Sequence, residues 1–83
     1  MRPKLPVCTA RELERVLRRL GFLADRQTGS HRIFVRASDR RRVILPIHTG
    51  DLKPGLLRQI LHDLNLSREE FHALLRGKTI GHP

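Results

Sequence analysis

Residues 22–47 read FLADRQTGSHRIFVRASDRRRVILPI, and the breaks inside that stretch decide the fold. Thr28-Gly29-Ser30 separates Phe22–Gln27 from His31–Arg36, and Ala37-Ser38-Asp39-Arg40 separates the latter from Arg41–Ile47. Each run is too short for a helix, and the second and third carry Ile33, Phe34, Val35 and Val43, Ile44, Leu45. Short runs of β-branched and aromatic residues joined by turn-length connections read as strands of an antiparallel meander. Gly29 supplies the positive φ that a tight hairpin turn calls for.

Helical patterns lie on both sides. Thr9-Ala10-Arg11-Glu12 is a capping box, in which Thr9 bonds forward to the first turn and Glu12 bonds back. Leu13, Val16, Leu17 and Leu20 follow as one buried stripe, Arg11, Arg15, Arg18 and Arg19 fall mostly elsewhere, and Gly21 closes the helix. Before it, Pro3 and Pro6 keep the chain extended. After the strands, residues 48–55 form a loop. Pro54 opens a second helix with Leu56, Leu57, Ile60, Leu61 and Leu64 inward, ended by Asn65. Ser67-Arg68-Glu69-Glu70 caps a short third helix carrying Phe71, Leu74 and Leu75, closed by Gly77.

The expected architecture is therefore α+β: α-β-β-β-α with a three-stranded antiparallel sheet covered on one face by two helices, plus a short C-terminal helix. The expected organisation is an extended segment over 1–8, a domain over 9–66, and a short helix and tail over 67–83. The second sheet face is left to solvent or a partner.

Strand two offers two arrangements. Arg32, Phe34 and Arg36 alternate with His31, Ile33 and Val35. Simple parity keeps the charges out, sends Ile33 and Val35 to the core, and leaves Phe34 outward to stack a base or anchor a partner. That arrangement turns His31 inward, unless it sits at a rim or Gly29 introduces a bulge. The alternative buries Phe34 while both arginines snorkel to the edge.

Composition narrows the function. The chain carries 17 Lys and Arg against 8 Asp and Glu, a formal charge of +9. So basic a body repels itself, and a polyanion relieves the repulsion while releasing counterions. A solubilising surface is the plain alternative, and a membrane surface fits less well because the arginines are spread over strands and helices. Eighty-three residues make one small domain without room for a buried organic cofactor, so none is expected. The single Cys8 excludes an internal disulfide or a cysteine-built metal cage, and the histidine spacings suggest no metal. No apolar run has the length of a signal segment or a membrane span, so the expected location is the cytoplasm.

Four segments together resemble the HicA family, the RNA-cleaving toxins of bacterial toxin–antitoxin pairs. They are Leu20-Gly21-Phe22 closing the first helix; Arg26 to Phe34 with Gly29-Ser30-His31 at its centre; Val43 to His48; and Leu52 to Leu61. The resemblance runs from about Thr9 to Leu66. It implies a fold like that of a double-stranded-RNA-binding domain and a metal-independent ribonuclease acting on messenger RNA. It also implies a HicB antitoxin as partner and a catalytic histidine after Gly-Ser, here His31. The basic run Arg40-Arg41-Arg42 and the helix after Ser67 depart from the shared pattern.

The chemistry suits histidine. RNA carries its own nucleophile, the 2′-hydroxyl, so cleavage needs a base, an acid and cations for the phosphorane charge. Imidazole serves either proton role because it titrates near neutrality. As a bare residue, a histidine after a hairpin glycine is more often a plain turn residue; the family resemblance makes His31 the catalytic candidate. Arg26, Gly29, Ser30, Arg32, Arg36 and Lys53 are the candidate RNA contacts, although Ser30 could simply cap the turn and any lone arginine could simply be solvated. His48 is a possible second acid/base group or phosphate contact, or merely a loop-capping residue. His62, His72 and His82 read as surface, and Cys8 as a small apolar residue. A catalytically silent RNA-binding module and a protein-interaction domain remain the rival readings.

Overall fold

The structure, a computed structural model, describes residues 5–47 and 50–77. The elements follow in the order α1 (Ala10–Arg19), β1 (Leu23–Thr28), β2 (His31–Arg36), β3 (Arg41–Pro46), α2 (Pro54–Asp63) and α3 (Arg68–Leu75). Both capping boxes form. Glu12 N donates to Thr9 Oγ1 at 3.2 Å while Thr9 N donates to Glu12 Oε1 at 2.9 Å. Ser67 and Glu70 exchange the same bonds at 3.0 and 2.9 Å, satisfying helix N–H groups that have no intrahelical acceptor. Asn65 ends α2 at φ 54, a left-handed position that asparagine tolerates better than most residues.

The sheet is a meander of order β1-β2-β3, antiparallel throughout. One side of it supplies Phe34, Val43 and Leu45 to a single core with Leu13 and Leu17 of α1, Leu57 and Leu61 of α2, and Phe71 and Leu74 of α3. Phe22, Phe34 and Phe71 are all fully buried. The helices therefore cover one sheet face. α3 packs against α1, and Arg19 Nη1 donates to Gly77 O at 3.3 Å beyond the end of α3.

Simple parity fails on β2, and the alternative holds: Phe34 is in the core and both arginines escape sideways. The Arg32 guanidinium reaches Glu14 of α1 at 2.9 Å. Arg36 donates to Leu20 O at 3.0 Å, pairs with Asp39 at 2.8 Å, and lies 4.7 Å from the Phe22 ring centroid. Their stems cover the core while their heads find acceptors at its margin, so the expected cost of stranded charge does not arise. Because directly paired residues share a face, His31, Ile33 and Val35 look the other way, with Leu23, Arg26 and Thr28 of β1 and Arg42, Ile44 and Pro46 of β3. Ile33 is shielded there by its neighbours, whereas Leu23 is 64% and Ile44 53% exposed.

β1 starts one residue later than expected, since Phe22 turns into the core. Its pairing shifts between Ala24, opposite Phe34, and Arg26, opposite Ile33, which makes Asp25 an extra residue. The bulge thus lies at Asp25 and not at Gly29.

Asp39 pins the β2–β3 turn by pairing with Arg36 and with Arg41 at 3.2 Å. The hydrogen bond from Arg36, helped by the Arg41 backbone N–H and both positive charges, holds its carboxyl down at about 2. A depressed carboxyl contributes stability above its unfolded pKa near 4 and loses it as pH falls towards 2. Asp39→Asn should therefore flatten the acid limb of an unfolding profile between those values. Phe34→Ala should cost about 3–5 kcal/mol in urea denaturation, whereas the exposed Ile44→Ser should change stability by roughly 0.5 kcal/mol or less.

Candidate functional site

Gly29 and Ser30 form the two-residue connection between β1 and β2, with Thr28 paired to His31 across it. Gly29 has φ 58 while Ser30 does not have positive φ, the pattern of a turn that wants glycine first. A Cβ at Gly29 would meet nothing within 4 Å, so backbone conformation alone, and not crowding, selects glycine. Ser30 O accepts from Ile47 N at 2.6 Å, which ties the exit of β3 to the turn.

His31 is exposed, and its imidazole has no hydrogen-bond partner among the described residues. It stands on the uncovered sheet face because Phe34 occupies the covered one. Arg26 is its diagonal neighbour on that face, a spacing of roughly 7–8 Å in an antiparallel ladder. The Asp25 bulge is responsible: unbroken alternation from Leu23 would turn Arg26 towards the helices.

The turn is braced from behind. Gln27 Nε2 donates to Gly29 O at 3.2 Å, and Gln27 Oε1 accepts from Arg32 Nε and Nη2 at 3.2 and 3.1 Å. Arg32 Nη1 continues to Glu14 Oε1 at 2.9 Å, and Glu14 Oε2 accepts from Arg18 at 2.9 Å. A chain of polar contacts thus runs from α1 to the residue two places before His31. Gln27 and Glu14 carried no signal of this in the sequence beyond the short reach from Gln27 to Gly29.

The remaining candidates separate. Arg32 faces the helices from the turn end of the sheet. Lys53 is the exposed N-cap residue of α2, and the adjoining Asp51 forms a bridge with Thr9 while Leu52 N donates to Cys8 O at 2.8 Å. That joins the starts of α1 and α2. Arg36 lies five residues along β2 from His31, roughly 16 Å at strand rise, and is occupied by Leu20, Phe22 and Asp39. His48 lies outside the described residues. Burial, with the charges of Glu12 and Asp51, pushes the Cys8 thiol up to about 11, so it offers no thiolate at neutral pH. Among the described residues no three His, Cys, Asp or Glu side chains gather as a metal site, and no helix is long and apolar enough to cross a membrane.

These features define a small basic α+β protein whose candidate histidine stands on the sheet face that the helices leave open. The family described as HicA toxin of bacterial toxin-antitoxin matches residues 10–66, most of the chain, and the chain belongs to that family. It is accordingly a toxin of a toxin–antitoxin system. No curated protein matches it. α3 falls outside the matched residues.

Gln27→Ala should loosen the turn while leaving the core intact. Amide exchange at Ser30 and His31 should accelerate by roughly tenfold, the equivalent of about 1.4 kcal/mol, while exchange at Phe34 stays unchanged.

Proposed function

We propose that this HicA-family toxin is a metal-independent endoribonuclease that cuts messenger RNA in the cytoplasm and is neutralised by a HicB-like antitoxin. The observation that carries the reading is the position of His31: exposed, without a hydrogen-bond partner among the described residues, beside a glycine turn and diagonal to Arg26 on the face the helices leave open. An imidazole so placed is free to exchange protons with an RNA backbone lying across the turn.

The reaction uses the RNA 2′-oxygen. His31 acts as general acid or base: it removes the 2′-hydroxyl proton as that oxygen attacks the adjacent phosphorus, or protonates the departing 5′-oxygen. The products are a 2′,3′-cyclic phosphate and a 5′-hydroxyl. Arg26 offsets charge on the phosphorane, and the backbone around Gly29 and Ser30 is open to close approach by a phosphate oxygen. Lys53 and the remaining N–H donors of Arg32 serve the flanking phosphates, and Arg36 a more distant one. His48 is the candidate for the second proton-transfer role.

The rival reading is a silent RNA-binding module of the same fold. Incubation of the pure protein with unstructured RNA in chelator separates the two. The parent should release fragments ending in cyclic phosphate, and His31→Ala should cut about 10²–10⁴-fold more slowly while binding RNA as before. Binding without cleavage by either protein would establish the silent module.

A further inference from the structure

We propose that Arg11, Arg15 and Arg18 of α1, with Arg32 of β2, form a second RNA contact: a phosphate track behind the sheet that holds the strand flanking the cut. The inference rests on the reading of the protein as RNA-binding, but not on His31 being catalytic.

Arg11, Arg15 and Arg18 recur at i, i+4 and i+7, so they form one stripe along α1. That stripe, with Arg32, Glu12 and Glu14, lines a groove of about 580 Å³. The two acids do not neutralise it. Glu12 Oε1 is taken by the Thr9 backbone N–H and hydroxyl in the helix cap. Glu14 is divided between Arg18 and Arg32. Arg11 and Arg15 are exposed and have no acidic partner among the described residues. Two unpaired like charges at i, i+4 destabilise a helix, so the fold gains nothing from this pair.

The walls are charged, which suits a polyanion better than a small apolar ligand. A protein partner fits poorly, because among the described residues the exposed large hydrophobics are Val7, Leu23 and Ile44, none of which lines the groove. Arg11 and Arg15 stand about 6 Å apart along the axis, and Arg18 about 4.5 Å further on. Arginine forks at such intervals can follow successive phosphates of one strand. Arg32 links the groove to the turn, since it follows His31 directly and points to the opposite face. β1 is an edge strand exposed along its whole length, so RNA can pass around it from one face to the other.

The test is affinity for fully 2′-O-methylated RNA, which lacks the nucleophile and stays intact whatever His31 does. The slope of log affinity against log salt should fall by about 1.4 in the double variant Arg11→Gln/Arg15→Gln, at about 0.7 per lost single-strand contact. Its melting temperature should not fall, because a repulsion has been removed. Arg58→Gln, an exposed arginine on α2, should keep the parent slope. Equal slopes in the double variant and the parent, or equal losses from Arg58→Gln, would overturn the track while leaving RNA binding intact. Displacement of the RNA by polyglutamate at matched charge would also overturn it, marking a bare charge patch. Failure of the parent to bind RNA at low salt would sink this proposal together with the function it rests on.

Discussion

The burial of Phe34 beneath the helices sets which way each residue of the middle strand faces. Alternation along β2 is strict, so putting Phe34 into the core it shares with Leu45, Leu57 and Phe71 sends His31 and Ile33 to the opposite surface in the same step. The arrangement is affordable only because Arg32 and Arg36, which share the face of Phe34, have acceptors at the middle of α1 and at its C-cap. Glu14 receives one and the carbonyl of Leu20 the other. The first helix therefore both covers the sheet and neutralises the strand it covers.

The same two contacts divide labour along the strand. At the Leu20 end, Arg36 closes over Phe22 and holds Asp39, which is structural work. At the Glu14 end, Arg32 holds Gln27 and Gln27 holds the carbonyl of Gly29, so rigidity is delivered to the turn that carries the candidate histidine. A side chain at an exposed strand end is oriented largely by its backbone, and here that backbone is braced from the reverse side of the sheet.

Much of this was legible in the residues. The capping boxes at Thr9 and Ser67, the leucine stripe of α1 and the two turns in residues 22–47 are local signals, and the elements follow them to within a residue or so. The orientation of β2 was not legible, because parity weighs arginine as a charge. Its outcome depended on stem length and on a glutamate 18 positions away. The bulge at Asp25 has no glycine to announce it, and it moves Arg26 across the sheet. The stripe of arginines on α1 was visible, but its groove exists only once Arg32 lies beside it.

A meander of three strands leaves two unsatisfied edges, each a template on which another copy could add a strand. β1 answers with its bulge, which breaks the flat repeat of N–H and C=O groups. β3 answers with Arg41 and Arg42 at its start and Pro46 at its end, placing charge and a missing donor along the open border. The irregularity that brings Arg26 beside His31 thus also makes β1 a poorer template for strand addition.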